Sequence, residues 1–268
     1  MQMRNLILIG CLPLFLIVGC AMTAITPAIR SELAPSGTLR VGINHGNFLL
    51  VNADSPHGAP RGIAPDLGAE LARRLGVPLE YISFDAAGKT ADAVRSGAWD
   101  VAFLGAEPQR ASEIAFTAAY LEIPVTYLVP AGSPIRHLAD VDRAGVRVAV
   151  SAKSAYDLFL TRSLKHAQLV RAEGLPAAFE LFKAQKLDAL AGLRPGLLGD
   201  AGKLPGSRLL DGQVTTVQQA IGTPKAREAG ARYLRAFAED VKASGFVAQL
   251  IEKHGVRGVT VAPKAPAQ

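Results

Sequence analysis

Residues 97–120 carry the side chains best suited to bind an anion. A turn glycine precedes an apolar strand pattern at 99–104, and the loop Gly-Ala-Glu-Pro-Gln-Arg follows at 105–110. Such a strand would bring free backbone groups and the Arg110 guanidinium to the carboxyl end of a sheet, where open α/β sheets bind ligands. The planar fork of an arginine suits a carboxylate. Arg110 could equally cap a carbonyl or pair with Glu113, and the spacing alone leaves both readings open.

The amino-terminal residues have the layout of a secretory signal. Arg4 precedes an apolar run at 6–18, and Gly-Cys and small residues follow. The run is shorter than the roughly 20 apolar residues of a membrane span. The segment Ile-Val-Gly-Cys at 17–20 resembles the bacterial lipobox, which implies a signal peptide over 1–19 and lipidation of Cys20. Ordinary secretion with cleavage near Ala24 is the alternative.

Composition excludes several classes of protein. Cys11 and Cys20 are the only cysteines, so the folded body has no disulfide and must be stabilised by its core. The net charge is +6, but the basic residues are scattered and aromatic residues make up 6%, which argues against a nucleic-acid partner. The histidines lack metal-ligand spacing, and no phosphate-binding glycine loop or Gly-x-Ser-x-Gly elbow is present. We therefore expect no metal and no cofactor.

The first half of the chain alternates between strand and helix patterns. Strands are predicted at 39–43, 79–83 and 99–104, and helices at 63–75 and 89–96. This βαβαβ order predicts a parallel sheet with helices on its faces.

A second α/β unit follows. It contains a strand at 146–150, a helix opened by Ser154, a helix from Pro176 and a strand at 187–191. Extended segments near residues 127 and 219 join the two units, which predicts a hinge and a cleft. A long helix closed by Gly245 is predicted to start from an N-cap at Thr223 with Pro224 at the first helical position.

These patterns predict an α/β fold of two lobes with a ligand cleft and two hinge crossovers. The predicted divisions are the signal at 1–19, a tether at 20–36, lobe 1 at 37–126 plus 222–260, lobe 2 at 127–221 and a tail at 261–268.

Residues 39–258 resemble the bacterial extracellular solute-binding proteins of family 3, best known for delivering polar amino acids to ABC importers. The matching segments are Leu-Arg-Val-Gly at 39–42, Gly-Ile-Ala-Pro-Asp-Leu at 62–67, Glu-Leu-Ala-Arg-Arg-Leu-Gly at 70–76, Gly-Ala-Trp-Asp-Val at 97–101, Pro-Gln-Arg at 108–110, Phe-Thr-Ala-Ala-Tyr at 116–120, Gly-Val-Arg-Val at 145–148 and Leu-Asp-Ala-Leu at 187–190. The resemblance implies a type II periplasmic-binding fold and a monomer outside the cytoplasm. The implied partners are a small carboxylate ligand, ABC permease subunits and, through the lipid anchor, a membrane.

The resemblance also implies roles in the first lobe. Arg110 would bind the ligand carboxylate, assisted by backbone groups at Gly105. Glu107 would either receive an ammonium group or pair with Arg110 in the empty site. Asn47 could hydrogen-bond the ligand and Phe48 could pack on it, or they could form a turn and part of the core.

In the second lobe, Ser154 would contact the ligand through its hydroxyl or simply cap its helix. Tyr156 would wall the cleft or pack in the core. Family members usually hold the α-ammonium with an aspartate a few residues after the strand at 187–191, where this chain has Leu193 and Arg194. A buried ammonium without a carboxylate costs several kcal/mol. Either Glu107 replaces that aspartate, or the ligand is not a standard α-amino acid; Arg194 could then meet a second acidic group or stay solvated.

Two other functions share this fold. Exported cyclohexadienyl dehydratases resemble it, with Glu107 as the candidate general acid, although the adjacent Arg110 would keep that carboxyl ionised. Sensory ligand-binding domains also resemble it, but the chain ends soon after the fold with no transmembrane segment. The sequence therefore favours a binding protein over an enzyme.

Overall fold

The computed structural model describes residues 24–52 and 60–266. The helices in these ranges are α1 (Pro27–Leu33), α2 (Ile63–Leu75), α3 (Ala87–Asp92), α4 (Ala155–Ser163), α5 (Leu175–Ala184), α6 (Arg194–Gly202), α7 (Glu228–Ala243) and α8 (Phe246–Lys253). The strands are β1 (Leu39–Asn44), β2 (Leu79–Phe84), β3 (Val101–Gly105), β4 (Ile114–Phe116), β5 (Leu121–Val129), β6 (Arg147–Ser151), β7 (Gln168–Ala172), β8 (Ala189–Leu193), β9 (Arg208–Leu209), β10 (Thr215–Pro224) and β11 (Thr260–Val261).

The first lobe is built on three parallel strands, as the βαβαβ pattern predicts. β1 pairs with β2 from Leu39↔Leu79 onward, and its other edge pairs with β3. α2 buries the apolar stripe that includes Leu67, Leu71 and Leu75, and it ends at Gly76, whose φ of 67° is in the left-handed region. The carboxyl end of β3 is thereby fixed where the loop to Arg110 begins.

The second lobe repeats this plan. β6 pairs in parallel with β7 on one side and β8 on the other, and α4, α5 and α6 belong to this lobe. The helix α6 starts at Arg194, directly after β8 ends at Leu193. The carboxyl ends of these strands face the first lobe across the cleft described below.

Two long strands connect the lobes. β5 and β10 pair antiparallel to each other; β10 also pairs with β3 of the first lobe, and β5 with β8 of the second. The strand order is β2-β1-β3-β10-β5-β8-β6-β7. The two extended segments predicted near residues 127 and 219 are therefore neighbouring strands that run through both lobes.

The prediction of a tether over residues 20–36 is wrong for its described part, because residues 27–33 form α1. The Thr26 hydroxyl caps this helix by accepting from the amide of Ile29, and Ile29 and Leu33 lie in the core. Thr26 before Pro27 is a helix-start signal, and Ile29 and Leu33 have the four-residue spacing of one helix face.

The prediction of a free tail from residue 261 is also wrong at its start. Thr260 and Val261 pair with β5, and Ala262 is buried. Two residues of strand give too little periodicity to be read from the sequence.

Thr223 and Pro224 do not open the long helix as predicted; they end β10, and α7 begins at Glu228. The Thr223 hydroxyl donates to the carbonyl oxygen of Asp100 at 2.9 Å instead of capping a helix. Pro224 pairs in register with Ile114 of β4. Strand pairing between residues far apart in the sequence therefore prevails over the local signal for a helix start.

None of the helices in the described ranges is long and apolar enough to cross a bilayer.

Candidate functional site

A cavity of about 60 Å³ lies between the two lobes. It is bounded by the carboxyl ends of β1 and β3, the amino end of α4, the end of β8 and the crossing strand β10. Its walls include Asn44, Asn47, Leu50, Phe103, Gly105, Arg110, Ser151, Ser154, Tyr156, Leu175, Leu193, Val217 and Gln219. Most of this surface is apolar, and the polar groups converge from both lobes.

Arg110 supplies the positive charge of this cavity. It lies in a short 3-10 turn after β3 and is only 7% exposed. Its Nη1 donates to the Gly105 carbonyl at 2.7 Å, and its Nη2 donates across the cleft to the Lys153 carbonyl at 2.8 Å. The alternative pairing with Glu113 is not made, because that carboxylate binds Arg95 at 2.9 Å.

The Arg110 guanidinium forms no ion pair with any carboxylate of the described ranges. Burial lowers the pKa of Arg110 to about 10, against the opposing fields of Glu107 and Asp92. A buried charge without a counter-charge is costly, and a bound anion would compensate it. The site is therefore electrostatically prepared for a carboxylate or another small anion.

The amino end of α4 faces Arg110 across the cavity. The Ser154 hydroxyl accepts from the Asp157 amide at 3.1 Å, so Ser154 caps the helix as its spacing predicts, and it also lines the cavity. Asp157 in turn accepts from the Lys153 amide at 2.7 Å. The positive end of the helix dipole adds to the potential that favours an anion here.

Two further polar atoms at the cavity are buried without a hydrogen-bond partner. They are Oε1 of Gln219, which is 5% exposed, and the hydroxyl of Tyr156, which is 3% exposed. The Tyr156 hydroxyl lies near Ser151 and Ser154 without good hydrogen-bond geometry to either, and burial raises its pKa. Buried polar atoms are almost always paired in folded proteins. These two are therefore candidate ligand contacts.

Sequence reasoning missed Gln219. It lies in the run Val-Gln-Gln-Ala-Ile at 217–221, where an amide interrupts an otherwise buried crossing strand. A polar residue at a buried position of a hinge strand was the available signal.

The structure places Asn47 at the cavity and Phe48 away from it. Asn47 is buried and lines the cavity, and its Oδ1 accepts from the Leu49 amide at 3.3 Å, so it also forms the turn that was the alternative reading. Phe48 is 46% exposed, is not among the cavity walls, and places its ring against Gly196 of α6.

Glu107 takes neither role expected of it. Its carboxylate pairs with Arg162 of α4 at 2.5 Å and does not line the cavity. The expectation failed because Arg162 is 55 residues away in sequence and reaches it only after the lobes meet.

Arg194 lies outside the cavity walls and donates to the carbonyls of Leu210 and Gly212, each at 3.3 Å. Leu193 is the residue of this pair that lines the cavity, and it is buried.

Ionic contacts span the cleft at its rim. Besides the pair of Glu107 and Arg162, Lys153 Nζ lies 2.6 Å from Asp92 Oδ2, and Lys89 Nζ lies 3.6 Å from Glu173 Oε1. The lobes also approach closely at Gly105, where an added Cβ would lie 2.8 Å from the Ala155 Cβ. The structure is thus a closed form of the cleft.

No group of three or more His, Cys, Asp or Glu side chains within residues 24–52 and 60–266 could hold a metal ion.

Two α/β lobes joined by paired crossing strands around an interlobe cavity define a type II periplasmic-binding fold. A family model described as bacterial extracellular solute-binding proteins, family 3, matches residues 39–257. The chain belongs to this family.

Solved structures share the fold at low sequence identity. A mutant of ArgBP from T. maritima is 23% identical, with 85% of this chain and 99% of that chain covered at a TM-score of 0.70. The solute receptor for L-cysteine of Neisseria gonorrhoeae is 21% identical, with 86% and 95% covered at 0.71. An ancestral amino acid-binding protein, a precursor of cyclohexadienyl dehydratase, is 22% identical, with 83% and 97% covered at 0.68.

Proposed function

We propose that this chain is the extracytoplasmic substrate-binding component of an ABC importer and holds a small carboxylate-bearing solute, an amino acid or a similar compound. The observation that carries the proposal is Arg110, a buried cation at an interlobe cavity with no ion-pair partner in the described chain. Family membership and the structural neighbours named for arginine and L-cysteine support the same conclusion.

The geometry suggests how capture would proceed. In an open form the solute carboxylate would bind Arg110 on the first lobe, where a guanidinium offers five N–H donors. Closure would then bring the amino end of α4, with Ser154 and Tyr156, against the solute. A ligand that contacts both lobes binds the closed form better and so shifts the population toward it. The closed form, with its lobe rims together, would be the one presented to the permease.

Arg110→Ala tests the anchor. We expect binding of carboxylate ligands to weaken at least 100-fold, because charge-assisted hydrogen bonds to the carboxylate are lost. The thermal stability of the ligand-free protein should change little, since an uncompensated buried charge is removed together with two hydrogen bonds. A thermal-shift screen over amino acids, opines, dicarboxylates and aromatic acids identifies ligands, and calorimetry gives their affinities.

Arg232→Ala is the matched control, since Arg232 is an exposed arginine on α7. Unchanged affinity in Arg110→Ala, or a large loss of stability in the ligand-free protein, would assign Arg110 a structural role instead.

Neither Glu107 nor Asp85, the carboxylates of the described residues considered for the dehydratase alternative, is placed to act as its general acid. Glu107 is bound to Arg162 outside the cavity. Asp85, which borders the cavity mouth, pairs with Lys89 at 2.9 Å, and that hydrogen bond lowers the pKa of Asp85 and keeps it ionised. Product formed from prephenate or arogenate by the purified protein, and lost in Arg110→Ala, would overturn the binding-protein proposal.

We also propose that residues 1–19 are a lipoprotein signal and that Cys20 carries the anchor; both lie outside the described residues. The lipobox-like segment at 17–20 and the extracellular family support this. Cys20→Ser should move the protein from the membrane fraction to the soluble fraction, as judged by fractionation and by labelling with a fatty-acid analogue. Cys11→Ser is the matched control and should leave the distribution unchanged. Membrane association that survives Cys20→Ser would exclude this anchor.

A further inference from the structure

Among the residues that the structure describes, the cavity walls hold one buried cation and no carboxylate without a cationic partner, and from this we infer the class of ligand. We infer that the ligand is a short 2-hydroxy acid, in which a neutral hydroxyl stands where an amino acid has its ammonium group. This inference rests on the proposed function, because it takes Arg110 as the carboxylate site.

The first step is the charge balance of the cavity. One ligand carboxylate neutralises Arg110, the only basic side chain among the cavity walls that the structure describes. An α-amino acid would add a second positive charge to the same enclosed space. Desolvating that ammonium would cost several kcal/mol unless a carboxylate received it.

Asp85 is the one carboxylate among the described cavity walls, and it has a cationic partner, as do three carboxylates that lie outside the walls. Asp85 is exposed and pairs with Lys89, and Glu107 pairs with Arg162. Asp92 pairs with Lys153, and the buried Asp157 is held by Arg171 at 2.9 Å. At the end of β8 the cavity wall is the apolar side chain of Leu193. No described group is thus available to balance an ammonium.

Neutral hydrogen-bonding groups are available instead. Oε1 of Gln219 is a buried acceptor without a donor, and the Tyr156 hydroxyl is buried without a well-formed bond. A hydroxyl on the ligand can donate to one and accept from the other, which removes the cost of leaving both unpaired. No charge needs to be buried for these bonds to form.

The size of the cavity limits the carbon chain. The closed form leaves about 60 Å³ to the centres of water-sized molecules, whereas one water needs roughly 10–15 Å³ on a comparable measure. The closed cavity is therefore the size of a small solute. The apolar walls at Leu50, Leu193 and Val217 suit a methyl or ethyl group.

The test compares ligands that differ only in the group at C2. Calorimetry is performed with L-lactate against L-alanine, glycolate against glycine, and L-2-hydroxybutyrate against L-2-aminobutyrate. We expect each hydroxy acid to bind at least 100-fold more tightly than its amine counterpart. Equal or tighter binding of the amino acids would overturn the inference while leaving the proposed function intact. If only larger carboxylates bind, and their binding requires Arg110, the inference is likewise overturned and the proposed function stays intact. If no carboxylate binds, or if binding does not require Arg110, the proposed function itself fails.

Leu193→Asp and Leu193→Asn provide a second measurement. Aspartate would supply the missing negative charge, so the preference for lactate over alanine should fall at least tenfold. Asparagine has the same shape but is neutral, so most of the preference for lactate should remain. Circular dichroism and thermal unfolding confirm that both variants fold. A preference that responds equally to the two variants would contradict the charge argument. The wild-type ligand pairs decide the question even if neither variant folds.

Discussion

At the scale of single residues, Gly105 sets how closely the lobes approach. A Cβ at this position would lie 2.8 Å from the Ala155 Cβ and 2.9 Å from Val217 Cγ1. Both distances are shorter than a normal carbon contact, so one side of the cleft would have to move. The residue that ends β3 must therefore be small, because Ala155 of the other lobe lies so close to it.

Gly105→Ala should weaken ligand binding about 10- to 100-fold, because relieving an overpacked contact costs about 1–3 kcal/mol in the closed form. Calorimetry with any ligand found in the screen measures this. Gly199→Ala, on α6 where an added Cβ meets no atom within 4 Å, should leave the affinity unchanged. Undiminished affinity in Gly105→Ala would show that the closed form tolerates a side chain there.

Single residues were predictable where their role depends on nearby sequence. Ser154 caps α4 because its partner Asp157 is three residues away, and the strand and loop before Arg110 are continuous with it. Glu107 was misassigned because its partner lies on the other lobe, and Gln219 was missed because its importance comes from the burial of a hinge strand. The roles of such residues depend on tertiary contacts, which the spacing of residues along the sequence does not reveal.

At the scale of elements, α1 joins two other helices of the first lobe at their ends. Arg30 Nε donates to the Leu75 carbonyl at the end of α2, at 3.0 Å. Glu32 Oε2 accepts from the Gly230 amide in the first turn of α7, at 2.7 Å. α7 has no side-chain cap of its own, so α1 supplies the acceptor that Arg227, at its N-cap position, does not.

Leu33→Ala should lower the free energy of unfolding by about 2–5 kcal/mol, the usual cost of emptying a buried leucine site. Leu33 is fully buried, whereas a tether would tolerate the change. Urea denaturation of the ligand-free protein measures the effect. Ser31→Ala, at an exposed position of the same helix, is the control and should change stability by less than about 0.5 kcal/mol. Equal effects of the two substitutions would mean that α1 does not contribute to the core.

Elements with strong periodicity and local stop signals were predictable, and α2 with Gly76 is the clearest case. α7 was predicted to begin at Thr223, because Thr-Pro is a start signal wherever the chain is free to follow it. Pairing of β10 with β3 and β4 extends the strand over those residues. The helix propensity of a local segment is a weaker constraint than the hydrogen bonds gained by extending a β-strand.

At the scale of the whole molecule, ion pairs across the cleft contribute to the balance between open and closed forms. Glu107 with Arg162, Asp92 with Lys153 and Lys89 with Glu173 all join opposite lobes. Most of these side chains are partly exposed, so each pair is worth no more than about 1 kcal/mol and is weakened by salt. Together they favour closure even before a ligand arrives.

A double-mutant cycle of Glu107→Gln and Arg162→Gln should therefore show a coupling energy of about 0.5–1 kcal/mol in ligand affinity, falling as salt is raised. The interlobe distance, measured by resonance energy transfer between labels on the two lobes, should shift toward the open form in each variant. Glu113→Gln is the control, because the pair of Arg95 and Glu113 lies within the first lobe. A coupling energy near zero at low salt would remove these pairs from the closing equilibrium.

The packing of α1 against the core limits how far the folded body could lie from a membrane anchor. With the folded body beginning at Pro27, an anchor at Cys20 would leave seven residue steps between lipid and protein, a span of at most about 25 Å. An anchored protein would then be confined to a thin layer beside any permease in the same membrane, so its local concentration there would depend on its surface density and on the length of this segment. Confinement of this kind would lower the affinity that a contact between the lobe rims and a permease needs.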